Sequence, residues 1–462
     1  MILFAIASLL IAQPAPDSLI ITYRTDTLTS TELRIFPPPD AELPLYYQAA
    51  WGDGDTSDWV GPVQSRVDAG RYHQYRRSGE YEVSARVKDQ AGRVSDWGKH
   101  LPVVVTSPVL KWSFSVGDTS PVVSSPAVDE KGNVYFGDET GWFFSLDPGG
   151  NLRWKYLTAN AIYASPSVWK GLVYLPAIDS HLYCFDTQGK LRWKTYLGDE
   201  LYGAAALDPK GNAYVTGDAG TLYAVAANGK LRWKYQVGEE CSSAPSIGIN
   251  GLIYVSAESV LCIDGRGRRR WGFSPPEEGY FYGSPVPDLK GSVYAGNDDG
   301  YLYLIGPDGR MRWRSLVPDE DEIRTEPCLG PGDTVYYGSE GYYLVRKAPK
   351  GQSEVMYEAD DILIGTPAIS DSGTVYFLPD DGVMYAQQST GRLVWKADVA
   401  AEEKSLYYTS APCIAPDGTV YVGSWDGAVY AFDGNGAPAR SLWPQYRHDA
   451  QHTGRLTKPR RR

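Results

Sequence analysis

Residues 189–235 read GKLRWKTYLGDELYGAAALDPKGNAYVTGDAGTLYAVAANGKLRWKY, a stretch that opens on GKLRWK and closes on the same phrase forty residues later. Between the copies lie AAAL, NAYVTG and TLYAVA, separated by Pro209-Lys210-Gly211 and Asp218-Ala219-Gly220. Short apolar runs rich in Tyr, Val and Ala, punctuated by glycine turns, predict strands joined by tight hairpins. With LRWKY as a fourth strand, the stretch predicts one antiparallel meander. A lone meander cannot bury both faces, so a tandem array is expected.

Outward from there the pattern recurs. The phrase Ser124-Ser125-Pro126-Ala127-Val128 returns at Pro166, Ala205, Pro245, Pro285, Pro327, Pro367 and Pro412, which makes eight copies. Most lead into a strand such as Val134-Tyr135, Val173-Tyr174, Val293-Tyr294 or Val420-Tyr421, then an LYA-type strand and a tryptophan. The tryptophans are Trp154, Trp193, Trp233, Trp271, Trp313 and Trp395, with Tyr357 filling the place between the last two. Trp443 falls three residues out of frame, and Trp112 precedes the first proline. The strand around Trp112 is expected to pair with Ala428–Asp433 and complete the last unit. Four-stranded units of this period in radial array make a β-propeller. The fold expected is all-β, an eight-bladed propeller over residues 108–440 behind a smaller β-sandwich.

The strings CFDTQGKLRW (Cys184–Trp193) and CIDGRGRRRW (Cys262–Trp271) share a spacing of small residue, Asp, Gly and Trp. This spacing resembles the tryptophan-docking motif of the pyrroloquinoline-quinone-like (PQQ-like) β-propeller family. The resemblance implies that Trp112, Trp154, Trp193, Trp233, Trp271, Trp313 and Trp395 pack between blades. It does not fix function. Quinoprotein dehydrogenases share the fold and use an adjacent cysteine pair, which this chain lacks. The outer-membrane β-barrel assembly lipoproteins share it too, but with a lipid-accepting cysteine that is absent here.

Before the array, WGDGDTSDW (Trp51–Trp59) and HQYRRSGEYEVSARVKDQAGRVSDW (His73–Trp97) resemble the polycystic-kidney-disease (PKD) family of immunoglobulin-like sandwiches. The module is expected over residues 17–107, as a spacer or adhesive unit. Asp53 and Asp55 are candidate Ca²⁺ ligands, although an Asx turn accounts for both. Residues 1–16 carry an apolar run too short to span a bilayer, which reads as an export signal with cleavage near Ala12 or Ala15. The mature chain is expected in the periplasm, at the cell surface or outside the cell, as a monomer without stable membrane insertion. The tail, SLWPQYRHDAQHTGR (Ser441–Arg455), resembles a segment found beside PQQ-like propellers and is expected to cap the ring over residues 441–462. His448 and His452 lie four apart, a spacing that suits a metal only on a helix.

A formal charge of −12 argues against nucleic acid as partner. The five cysteines are scattered and read as small buried apolar residues. No nucleophile triad, P-loop, zinc motif or dinucleotide fingerprint stands out, so no enzyme and no cofactor is expected. One asymmetry remains. In a meander, the first-to-second and third-to-fourth strand turns share one rim, while the second-to-third turns and the crossings between units share the other. The first rim reads EKG, PKG, LKG, QGK, NGK, RGRRR and DGR; the second reads GDET, GDAG, NDDG, PDDG, GDELYG, PPEEGYFYG and PDEDEIRTE. Its candidate binding residues are Tyr202, Glu277, Glu278, Tyr280, Tyr282, Asp319, Glu320, Asp321, Glu322, Tyr407 and Tyr408, facing a protein or other envelope component. Solubility alone also produces acid-rich loops. The alternatives are an enzyme in the central channel and an envelope-assembly factor.

Overall fold

The computed structural model describes residues 6–9, 19–26, 30–36, 45–52, 54–63, 69–74, 79–92, 94–97, 100–105, 109–117, 120–318, 320–359, 361–399 and 410–457. Asp53, Asp319, Tyr407, Tyr408, the expected cleavage region at Ala12–Ala15 and the basic end at 458–462 lie outside these. The chain separates into two compact units, residues 1–109 with 395–397 and residues 110–394 with 398–462.

Among the described residues, the strands from Val109 onward sort into eight four-stranded antiparallel sheets. The opening stretch supplies the third, with strands Ala206–Leu207, Ala213–Gly217, Thr221–Val225 and Leu231–Gln236. Seven sheets keep strict sequence order. In the eighth, Val109–Ser115 lies beside Ala428–Asp433, joining the start of the array to its end. The Val116 amide then donates to the Gly427 carbonyl (2.9 Å), and the Ala411 amide donates to Ser125 Oγ (2.9 Å) in the first sheet's approach. This is a β-propeller fastened by hydrogen bonds between its two ends.

The repeated proline phrase has a physical reason. Proline cannot donate to a ladder, so a short inner strand that starts on it leaves its neighbour unpaired. A hydroxyl two residues earlier takes over. Ser124 Oγ accepts from the Gly137 amide and donates to its carbonyl, both at 2.8 Å, and Thr325 does the same for Gly338.

The hairpins are of more than one type. Type I′ geometry needs two successive positive φ angles, and Lys170-Gly171 has them (51° and 78°). The Asp-x-x-Gly turns do not. In Asp186–Lys190 the left-handed residue is Gly189, with a β-bulge between Cys184 and Phe185. Asp186 Oδ1 accepts from the Gln188 and Lys190 amides, so its side chain organises a type I turn plus bulge.

The same turns receive the tryptophans. Trp112, Trp154, Trp193 and Trp233 each donate Nε1–H to a turn carbonyl of the next sheet, at Pro148, Thr187, Ala227 and Gly265 (2.9–3.2 Å). Two residues on, a glycine meets the indole: a Cβ on Gly229 would fall 2.8 Å from Trp193 Cδ2. Trp271 faces Gly309 in this way, but its Nε1 finds no partner. Trp313 meets the Lys347 ammonium instead, 4.7 Å from the ring. Trp395 is buried in the seventh sheet's last strand, Leu393–Asp398. Tyr357 does not fill the missing place. Strand register sets it opposite Leu344, as Tyr235 stands opposite Leu222, and puts Glu354 opposite Arg346 where a tryptophan would be. Arg346 pairs with Glu354 (3.0 Å) and donates to the Ser389 carbonyl, two residues before Gly391. A guanidinium thus makes the bond that indoles make elsewhere.

Among the described residues of the N-terminal unit the strands form two four-stranded sheets, one of which orders Val60–Val63, Leu45–Ala50, Gly79–Lys88 and Leu101–Val105. Two Ser-Asp-Trp triplets act alike there. Ser57 Oγ accepts from the Ala49 amide and Ser95 Oγ from the Val87 amide. Trp59 and Trp97 then lie 5.4 and 4.4 Å from the Arg86 guanidinium, which Gln48 Oε1 also holds.

Candidate functional site: the acidic rim and the axial cavity

The second-to-third turns and the crossings are bonded to one another, so they share a rim. The Asp218 amide donates to the Glu200 carbonyl (2.9 Å), and the Cys241 amide donates to the Asp218 carbonyl (3.1 Å). The same links join Asp298 to Tyr280 and Glu340 to Glu322. Burial pushes the Asp218 carboxyl above its usual range, and Glu240, Asp199 and Glu200 push it further. Burial likewise raises Asp298, with Glu322 adding to it against the Tyr280 amide.

The predicted residues divide into two groups. Tyr202 and Tyr282 line an axial cavity of about 340 Å³, together with Tyr163, Arg324, Glu326 and Tyr446. Tyr202 stacks on Tyr163 (5.8 Å between centroids) and donates to Glu200 (2.8 Å). Tyr280 packs on Tyr282 (4.5 Å), and its hydroxyl donates to the Glu240 carbonyl (2.7 Å). Arg324 lies over the Tyr282 ring (4.4 Å), held by Glu322 (2.6 Å) and Glu340 (2.7 Å). Glu277, Glu278, Glu320 and Asp321 are exposed, with Glu277 near Arg314 (3.3 Å). Sequence reasoning overlooked Tyr163 and Arg324. Their signal is position, because each lies shortly before a repeat proline, Pro166 or Pro327, where the chain turns toward the axis.

The C-terminal tail determines the channel's other end. Amides of the inner strands donate to it in turn. Leu329 bonds the Trp443 carbonyl (2.7 Å), Ile369 bonds Pro444 (2.8 Å), and Ile414 bonds Gln445 Oε1 (2.7 Å). Val128 follows on Ala450 (2.6 Å), Val168 on Gln451 (2.7 Å), Leu207 on Thr453 (2.9 Å) and Ile247 on Gly454 (2.8 Å). The tail thus visits the sixth, seventh, eighth, first, second, third and fourth sheets. In the fifth, the corresponding residue is Pro287, which has no N–H to give. The tail lies beside the first-to-second turns, whereas the cavity is lined by residues preceding the repeat prolines. One end of the channel is therefore closed and the other opens on the acidic rim.

Inside the tail, Arg447 is fully buried. Glu326 Oε2 faces its guanidinium (3.3 Å), and Glu326 Oε1 accepts from Trp443 Nε1 and the Arg447 amide (2.7 Å each). His448 and His452 do not converge on a metal. His448 Nδ1 lies 3.1 Å from Asp449, and His452 Nδ1 has no hydrogen-bond partner. Among the described residues no group of three or more His, Cys, Asp or Glu is placed to hold a metal ion. All five cysteines are buried and unpaired. Burial pushes the Cys184 thiol up to about 12 and the Cys241 thiol to about 11.

Comparison with known proteins agrees with this architecture. The sequence model of one family, described as "Outer membrane protein assembly factor BamB", matches residues 107–204, 179–327 and 298–442. Among curated proteins none matches in sequence. The crystal structure of BamB from Moraxella catarrhalis superposes with a TM-score of 0.57 at 15% identity, over 70% of this chain and 98% of that one. The computationally designed Ika8 protein superposes with a TM-score of 0.58 at 15% identity, over 69% of this chain and 98% of that one. At this identity the likeness is one of fold.

Proposed function

Because the chain belongs to the family of the outer membrane protein assembly factor BamB, we propose that it is a non-catalytic, protein-binding propeller of the cell envelope. Its contact surface is the acidic rim with the tyrosine-lined cavity at its centre. The observation that carries this reading is the rim itself: acidic turns and crossings hydrogen-bonded to one another, interleaved with tyrosines that line the cavity. Such a surface suits a cationic segment of a partner protein, since charge steers the encounter and tyrosine adds contact area at low entropic cost. An exposed charge pair contributes roughly 0–1 kcal/mol, so several must act together with the aromatic rings.

Three finer readings go with it. The eight sheets make an eight-bladed ring, supported by the bonds from the eighth sheet to the first sheet's approach. The N-terminal unit is an immunoglobulin-like spacer or adhesive module of the PKD type. The chain is exported as a monomer, takes no cofactor and catalyses no reaction. An enzyme in the channel is the weaker reading, because the tail closes one end and Arg324 in the cavity is already held by two glutamates.

The test is capture of partners from an envelope fraction at low and high salt. The comparison is with a variant carrying Glu277→Gln, Glu278→Gln, Glu320→Gln and Asp321→Asn. The reading expects specific capture that falls with salt and with these substitutions. Capture indifferent to both removes the acidic rim from the account.

A further inference from the structure

We propose that the seam between the third and fourth sheets, on the basic rim, is a binding site for a phosphate group. An arginine precedes the docking tryptophan in each of the first five sheets, and in three of them it pairs with a carboxylate of its own turn. Arg192 pairs with Asp186, Arg270 with Asp264 and Arg312 with Asp308, each at 2.8 Å. In the third sheet, Ala226 stands where Asp186 and Asp264 stand, so Arg232 has no such partner. It reaches across the seam by long hydrogen bonds to Tyr214 Oη (3.5 Å) and the Gly265 carbonyl (3.4 Å), as Arg153 of the first sheet reaches Tyr135 Oη (3.3 Å) and the Thr187 carbonyl (2.8 Å) with Asp147 in its turn.

Arg232 borders a surface cavity of about 550 Å³ that Lys210, Arg266, Arg268 and Arg270 also line. Two carboxylates share it, and both are committed. Asp208 accepts from the Lys210 and Asn212 amides of its own turn and from the Asn212 side chain. Asp264 binds Arg268 (2.9 Å) and Arg270 (2.8 Å) as well as the Arg266 and Arg268 amides. Burial would raise its carboxyl, but those amides and the Arg268 guanidinium outweigh it and hold the group at about 2. Lys210, Arg232 and Arg266 are therefore left without ion pairs among the described residues. Arg266 occupies the turn position held by Gln188 and Asn228 in the preceding sheets.

Two guanidinium forks and an ammonium around one depression match a multiply charged oxyanion with several acceptor oxygens better than a single carboxylate. The chain's charge of −12 repels anions at long range, so any phosphate held here is held by this cluster. The phosphate is either a soluble one or a lipid headgroup.

The test uses the full chain. Pyrophosphate is titrated by calorimetry at low salt. In parallel, phosphatidylcholine vesicles with and without phosphatidic acid are tested by co-sedimentation. Three variants accompany the wild type. A226D restores the missing counter-ion, the triple Lys210→Gln, Arg232→Gln, Arg266→Gln removes the free cations, and Lys131→Gln with Lys290→Gln alters the same rim elsewhere. Saturable binding is expected in the wild type, weakened about tenfold or more by A226D and by the triple variant, and kept within about twofold by the control. Pyrophosphate binding without vesicle binding assigns the phosphate to a soluble donor. Vesicle binding that needs phosphatidic acid and is competed by pyrophosphate assigns it to a headgroup. Either result supports the site if the triple variant loses it. No saturable binding in either arm, or equal binding by wild type and triple variant, overturns it.

Discussion

At the scale of single residues, the fold depends on positions whose chemistry has no substitute. Gly229 combines a φ of 84° with an indole where its Cβ would be. A Gly229→Ala change should destabilise the protein by roughly 1–3 kcal/mol, through left-handed strain and displacement of Trp193. Denaturant unfolding measures this, and Gly171→Ala, where no atom lies near the added Cβ, isolates the strain contribution. Glu326 is the second such position. Replacing it with Gln leaves the buried Arg447 guanidinium without a counter-charge and should lower stability by about 3–5 kcal/mol. A loss below about 1 kcal/mol in the same experiment would mean that Arg447 is satisfied by the carbonyl of Pro245, to which it also donates. The glycine and tryptophan positions were visible as a spacing in the sequence. Arg346 doing a tryptophan's work was not, because its role appears only once strand register places Glu354 opposite it.

At the scale of elements, the tail is the part whose role the sequence least disclosed. Its residues have no repeat period, and three of them, Arg447, His448 and His452, take left-handed backbone angles that no pattern announces. What fixes them is a series of inner-strand amides that the repeat leaves free, and Pro287 marks where the series breaks. His452 makes the tail sensitive to acid. Burial lowers its imidazolium to about 4 from the usual 6.5, with Asp449 opposing and Arg447 reinforcing the effect. Because the folded value is the lower one, the unfolded chain takes up the proton first. Stability present above about pH 6.5 is therefore lost as pH falls toward 4, by on the order of 3 kcal/mol. Melting temperatures of wild type and His452→Gln between pH 7.5 and 4.5 should converge on acidification. Parallel curves would show that another group governs the acid response. The candidate site was half legible at this scale. Turn chemistry separated an acidic rim from a basic one, but the cavity at the acidic rim's centre depends on which side chains the crossings turn inward. That is set by the approach to each proline rather than by composition.

At the scale of the whole molecule, the ring is fastened by Val109–Ser115 beside Ala428–Asp433, and the tail adds hydrogen bonds to seven of the eight described propeller sheets. Repeat arrays without such ties unfold piecemeal, whereas a closed ring unfolds more cooperatively. Deleting residues 109–114 should lower the midpoint and broaden the denaturant transition. An unchanged slope and midpoint would contradict closure by this strand. The central claim is that the acidic rim, and not the basic one, meets a protein partner. Site-specific photo-crosslinking in the native envelope tests it most directly, with the crosslinker placed at Tyr202 or Tyr282 on one rim and at Lys190 or Lys290 on the other. The account predicts discrete protein adducts from Tyr202 and Tyr282 that weaken at high salt, and none from the lysine positions. Adducts from the lysine positions alone, or equal adducts from both rims, would contradict it.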